Sequence, residues 1–439
     1  MKKKYRIILY TSIFLLCVVA SIILVVKKSN SVYEEESKPK VVKHKSMLSM
    51  NLEQTAGSGD YKTVTQSSWP TEGYKFNAEL SKCENGSTLS WDDTKKAVIM
   101  QGNVSDKCYV YFDIWIPSIA DYCTSGTDLA TCVKNFGDQG PSVSNIYIHN
   151  SSLTNGAGDN SYRYAGANPN NFVCFGSDTS PCPIDNLYRI IGVFGENYHG
   201  VTGKQLVKLI KYDYMTTDEL GTDGDYSQTY KEWGMDSTYK GTYGDGERIG
   251  VYYWNYKATG SATNTWSTSL LNKTNLNTNF INNIGTTWAN KIATVTWKVG
   301  GNTYANISDV VPATTYQNEI VNPVTTNTTD NATTYSAKIG LMYVSDYGFA
   351  ASPDAWTLTM SSYNNTTATN NNWMYMGLYE WTISRYADGS DIAFLVGYVG
   401  DVNYDYVYDY FGVRASFSLE SSVSYVSGSG SMSDPIVIN

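Results

Sequence analysis

Hydrophobic and polar positions divide this chain into three regimes. The first is an uninterrupted apolar run, IILYTSIFLLCVVASIILVV at 7–26, held between Lys2, Lys3, Lys4 and Arg6 on one side and Lys27 and Lys28 on the other. Its length matches the hydrocarbon core of a bilayer. The basic flank ahead of it predicts the N-terminus inside the cell and the remainder outside. The run is long for a signal-peptide core and no A-x-A-like site follows it, so it reads as an uncleaved transmembrane signal anchor. Residues 1–6 are then a cytoplasmic tail, and the charged and polar stretch 27–68 a flexible stalk.

The second regime has a period of two. Thr88–Trp91 and Ala97–Met100 flank an Asp92-Asp93 turn, Cys108–Trp115 alternates, and so do Phe76, Ala78 and Leu80. Short alternating runs broken by turn residues predict a small antiparallel β domain over 69–117. Residues 118–158 read as a connector. In it, Thr127 or Asp128 caps a short helix that runs to Lys134, with Leu129 and Val133 on one face.

The third regime, 159–439, mixes both periods. Phe172–Gly176, Leu187–Phe194 and Leu206–Ile210 read as strands. Leu276, Phe280, Ile281 and Ile284 have helical spacing up to Gly285, with Thr268 as a cap upstream. Ile339–Val344 reads as a strand, followed by a Ser345-Asp346 cap. The densest aromatic stretch follows: Trp381–Ser384, Ala393–Val396, Asn403–Tyr410 and Val413–Leu419 as a late antiparallel meander. Helices between early strands and a late meander define an α+β fold.

Composition sharpens this picture. Charged residues make up only 17% of the chain, and 37 Tyr against 12 Phe supply much of the polarity instead. Residues 1–48 carry ten Lys/Arg and three Asp/Glu, or +7, so the rest must carry −16 to reach the total of −9. An acidic remainder excludes nucleic acid as a partner, because phosphate binding needs clustered Lys and Arg. Cys17 lies in the apolar run, and the other six cysteines fall between Cys83 and Cys182. Six cysteines allow about fifteen pairings. Neighbours along the chain suggest Cys83–Cys108, Cys123–Cys132 and Cys174–Cys182, which an oxidising compartment permits. No C-x-x-C is present and the only histidines are His44, His149 and His199, so the spacing fits no zinc site.

The chemistry concentrates between Trp381 and Tyr410. Asp401, Asn403, Asp405 and Asp409 share one parity, and Tyr404, Tyr406, Tyr408 and Tyr410 the other. An extended segment would put the two sets on opposite faces. Tyrosine combines a large contact area and a hydroxyl with few torsions to fix, which suits a binding surface. The expected ligand-binding residues are Trp381, Tyr398, Asp401, Asn403, Tyr404, Tyr406, Tyr408, Asp409 and Tyr410. The 1, 3, 5, 9 spacing of Asp401, Asn403, Asp405 and Asp409 imitates a calcium loop, but Tyr406 stands where that loop needs Gly and Gly412 where it needs a carboxylate. No Cys follows Cys182, no His follows His199, and no G-x-S-x-G occurs. Nucleophilic catalysis therefore lacks its parts. Glu380, Asp388 and Asp391 are the nearest approach to a glycosidase pair and read as solvated loop residues. The expectation is a non-enzyme with no catalytic residue, metal ligand or cofactor.

Several longer motifs carry a resemblance. NSYRYAGANPNNFVCFGSD, DNLYRIIGVFG, TNTWSTSLLN, TYSAKIGLMYVSDYGFAASP, NNWMY, EWTISRY and FGVRASFSL, in that order, resemble an uncharacterised family of surface proteins from anaerobic Gram-positive gut bacteria. CENGSTLSWDD and KCYVYF resemble a small module of the same family. One departure is that Ala415 follows Arg414, where the family has Pro. The order of helices, W-x-x-S, aromatic meander and final G-V-R strand is similar to C-type-lectin-like domains, a class that includes formylglycine-generating enzymes. The late cysteine pair those enzymes use is missing here. The resemblance implies a cell-surface binding or adhesion protein with an extracellular glycan or surface protein as ligand. The competing readings are a structural envelope protein assembling through the same domain, and a carboxylate-based glycan-active enzyme.

Overall fold

The computed structural model describes residues 48–65, 69–70, 73–103, 105–257, 262–303, 310–323 and 332–439. The expected transmembrane segment 7–26, the cytoplasmic tail and the first part of the stalk lie outside the described residues. Among the described residues, no helix is long and apolar enough to cross a membrane. The chain divides into two compact units between Ile116 and Pro117. The fold is mixed α+β, mostly sheet with few helices, and among the described residues no sheet closes into a barrel.

The first unit is built on Cys108–Ile114, in which Cys108, Val110 and Phe112 are buried while Tyr109 and Tyr111 are half-buried. Leu48–Glu53 pairs parallel with it, and Tyr74–Phe76 and Lys82–Cys83 pair antiparallel. Tyr61–Val64 forms the outer strand on Leu48–Glu53. The end of the expected stalk is thus part of this sheet. Leu48, Met50 and Leu52 alternate, and burying Met50 and Leu52 on Val110 and Phe112 supplies the core a spacer lacks. Trp69, Phe76 and Trp91 surround Phe112 at 5.9, 5.9 and 5.7 Å between ring centroids. The hairpin Thr88–Asp92 and Ala97–Gln101 forms as its turn residues predict. Ala78 and Leu80 lie in a turn instead of a strand, with Leu80 exposed. Cys83 and Cys108 are joined.

The second unit begins at Pro117, so residues 118–158 are part of its core and not a connector. Asp128 caps the helix Leu129–Gly137 by accepting from the Thr131 N–H at 2.9 Å. The apolar face of that helix buries Leu129, Val133 and Phe136 in the main core, together with Ile119 and Ile146. Its central sheet has seven strands. They run Ile339–Gly340, Ser416–Ser418, Leu206–Lys211, Leu187–Phe194, Tyr162–Tyr164 and Ile146–Ile148, with Phe172–Cys174 on Leu187–Phe194. Every pairing in it is antiparallel. Leu187–Phe194 is buried along its whole length, which explains why its sequence barely alternates.

The helical pattern after Trp266 is present, with a changed geometry. Leu271–Phe280 is a wide helix with i→i+5 hydrogen bonds, and Ile281–Ala289 continues it with a break at Gly285, whose φ is 77°. The side chains of Asn277 and Thr278 donate to the carbonyls of Asn272 and Lys273, five residues back. Ser269, not Thr268, offers its hydroxyl to the N–H of Asn272 at the start of this helix. Only Ile339–Gly340 of the expected strand 339–344 is extended. Val344–Ala350 is a helix, because the Asp346 carboxylate reaches back to the Tyr343 N–H at 3.1 Å. The late meander forms a three-stranded antiparallel sheet, Glu380–Arg385, Ile392–Val396 and Val402–Tyr406. Tyr410–Phe411 leaves it to pair with Gly250–Tyr253. The two ends of the unit meet where the Gly126 N–H donates to the Tyr425 carbonyl. Cys123 is joined to Cys132, and Cys174 to Cys182.

Candidate ligand-binding site

The tyrosine segment is a strand followed by a turn. Val402–Tyr406 pairs with Ile392–Val396, in the register Phe394 opposite Tyr404 and Ile392 opposite Tyr406. The side chains of Asn403 and Asp405 accept from the next residue's N–H, at 2.9 and 2.8 Å. The Asp409 N–H then bonds the Tyr406 carbonyl at 2.8 Å, closing a turn that buries Val407. The expected alternation therefore ends at Tyr406. The turn, not a strand pleat, sets Tyr408 beside Tyr406, with ring centroids 4.9 Å apart and planes within 7°. Tyr404 stacks on Tyr386 at 5.4 Å. Tyr404, Tyr406 and Tyr408 are 37%, 45% and 42% exposed, an unusual arrangement for three neighbouring aromatic rings.

Tyr410 is half-buried and belongs to a row of rings. It meets Tyr253 edge-on at 5.5 Å and Trp233 at 6.0 Å. Tyr253 stacks on the exposed Tyr256 at 4.5 Å. On the other side, Trp233 touches Tyr379 at 5.7 Å, and Tyr379 touches the half-buried Tyr398 at 5.2 Å. Tyr398 thus ends one aromatic row that runs through Tyr379, Trp233, Tyr410 and Tyr253 to Tyr256, and its members come from distant segments. Tyr253, Tyr256, Lys257, Asp391, Tyr408 and Tyr410 line a shallow cavity of ≈ 350 Å³. It offers ring faces, hydroxyls, one ammonium and one carboxylate. Sequence reading missed Trp233, Tyr253, Tyr256 and Tyr379. The run GVYYWNY at 250–256 is the only local signal, and it resembles an ordinary buried strand.

Asp225 holds Tyr256 in place. Its buried carboxylate accepts from the N–H groups of Tyr256, at 3.1 Å, and Leu271, at 2.7 Å, and burial pushes its carboxyl up. Asp401 lies beside the Gly397–Gly400 turn, half-buried, and burial raises its carboxyl as well. The Asp409 carboxyl is pushed up to about 6, first by burial and then by the Asp405 carboxylate beside it. Asn403 is exposed on the strand.

Trp381 does not belong to the surface. It is fully buried, its indole N–H donates to the Tyr252 carbonyl at 2.9 Å, and its ring packs on Phe411 at 4.7 Å. Its place is the framework beneath the row, because the Glu380–Arg385 strand is buried along its whole length. Glu380 is buried too and pairs with Arg414 at 2.8 Å. Asp391 lines the tyrosine cavity and Glu380 does not, so the two do not make a carboxylate pair on it. Among the described residues, the one His/Cys/Asp/Glu triad compact enough for an ion is Cys83, Asp106 and Cys108, whose sulfurs are joined to each other.

No family model, no curated protein and no solved structure matches this chain.

Proposed function

We propose that this chain is a single-pass cell-surface protein, anchored through residues 7–26, that presents its second unit outside the cell for non-covalent ligand recognition. The observation that carries this reading is the group of exposed rings at Tyr404, Tyr406 and Tyr408, continuous with the cavity lined by Tyr253, Tyr256 and Tyr410. Large rings with hydroxyls on a rigid strand–turn framework bind at low entropic cost. Aromatic faces beside a carboxylate and an ammonium suit a glycan or a polar protein surface.

We read the second unit as lectin-like. The order of its helices and late meander, and the meeting of its two ends at Gly126 and Tyr425, support that architecture. The three cysteine pairs suit an oxidising, extracellular setting.

A glycan array and a bacterial-surface pull-down with residues 48–439 test the reading, with a Tyr406→Ala/Tyr408→Ala variant beside the native sequence. Binding that the variant loses supports recognition through this surface. Binding unchanged in the variant, or ordered self-assembly with no other ligand, overturns it in favour of another face or an envelope role.

A further inference from the structure

A second cavity, of ≈ 460 Å³, shares no residue with the tyrosine surface. Arg189 and Lys240 line it, and no Asp or Glu does. In an acidic chain this is an unusual wall.

Arg189 is buried, at 6% exposure, from the middle of the central sheet. Its guanidinium lies between the rings of Phe172 and Trp373, 4.4 and 4.6 Å from their centroids. Its three hydrogen bonds go to neutral oxygens: the Asn171 side chain at 2.7 Å, the Pro169 carbonyl at 2.9 Å and the Trp373 carbonyl at 3.3 Å. A guanidinium has about five N–H donors, so among the described residues two are left over. Burial lowers its pKa to about 9, which leaves it charged at neutral pH. Lys240 lies over the Tyr375 ring at 4.3 Å, and its ammonium donates to the Thr369 carbonyl at 3.3 Å. Neither cation has a carboxylate within ion-pair distance among the described residues. Four fully buried cations elsewhere in this unit do. Arg163 pairs with Asp159, Lys208 with Asp346, Lys211 with Glu219 and Arg414 with Glu380. A buried charge without a counter-ion is costly, and two cations facing one cavity form a site for an anion. The rest of the wall is not suited to a bare ion. Asn168 and Asn370 add exposed amides that both donate and accept, which suits hydroxyl groups.

We propose that this cavity binds an acidic sugar, its carboxylate set between Arg189 and Lys240 and its hydroxyls on the asparagine amides. The site stands independently of the tyrosine surface.

Isothermal titration of the full chain with glucuronic acid and N-acetylneuraminic acid tests this, with glucose as the neutral sugar and acetate as the bare carboxylate. At least one acidic sugar saturates the protein, and glucose and acetate bind at least about tenfold more weakly, the size of one charge-assisted hydrogen bond. Lys240→Gln, an exposed position, weakens the acidic sugar about tenfold with an unchanged thermal transition. Tyr406→Ala leaves that affinity in place. The proposal is overturned if the acidic sugars bind no better than glucose or acetate, or if Lys240→Gln changes nothing. It is also overturned if Tyr406→Ala removes the binding, since that assigns the sugar to the tyrosine surface.

Discussion

The Nε of Arg414 lies 2.8 Å from a carboxylate oxygen of Glu380, with both side chains buried. Arg414 also donates to the Met374 carbonyl at 2.7 Å, so one guanidinium ties the start of the late meander to its end. Burial pushes the Glu380 carboxyl up while Arg414 pulls against it. Removing one partner leaves the other charged and alone in the core. Glu380→Ala is therefore expected to cost about 3–5 kcal/mol, read as a lower midpoint in urea. A near-neutral result would mean that water reaches Arg414.

Trp381 and the Tyr406–Tyr408 pair should separate stability from binding. Trp381→Ala opens the core under the aromatic row and is expected to cost about 3–5 kcal/mol. Tyr406→Ala/Tyr408→Ala removes exposed rings, so its stability should stay within about 1 kcal/mol of the native protein, allowing for the lost stacking. Thermal melts of the two variants check this contrast, and a large loss in the tyrosine variant would make those rings structural.

The pH dependence of Asp409 has a definite sign. Its folded value, about 6, lies above the ordinary 3.8, so the native state holds the proton more tightly than the unfolded chain. The stability this group contributes is complete below 3.8 and is lost as pH rises through 6. Asp409→Asn removes the dependence. The variant should gain on the native protein in melts run from acid to neutral pH, and a constant gap would show that Asp409 titrates normally.

The Cys83–Cys108 pair closes a 25-residue separation in the small first unit. Replacing both with Ser is expected to cost that unit about 2–4 kcal/mol. Hydrogen exchange of the amides in Cys108–Ile114 reads the loss. The strands of the second unit should keep their protection, because the two units are separate compact bodies.

Local period and turn chemistry by themselves determined much of this protein. A cap at Thr127 or Asp128, the hairpin that starts at Thr88–Trp91, the strands Leu187–Phe194 and Leu206–Ile210, the break at Gly285 and the α+β class follow from them. These are interactions within a few residues, or a side-chain period that one segment can display. The pairs Cys123–Cys132 and Cys174–Cys182 are nearly as local, at separations of 9 and 8, whereas Cys83–Cys108 spans 25 residues and meets through paired strands.

Other features needed the folded chain. Whether 48–53 is spacer or strand depends on Val110 and Phe112, some sixty residues away, as Asn51 shows by bonding the Val110 carbonyl across a separation of 59. Trp381 and Tyr408 are both aromatic in one dense stretch, yet one is sealed under Phe411 and the other faces solvent. Tyr410 meets Tyr253 only because two short strands pair across the unit. Arg189 lies between Phe172 and Trp373, with no carboxylate in ion-pair distance among the described residues. Burial and charge pairing are sums over neighbours brought together by the fold, and no local pattern contains them.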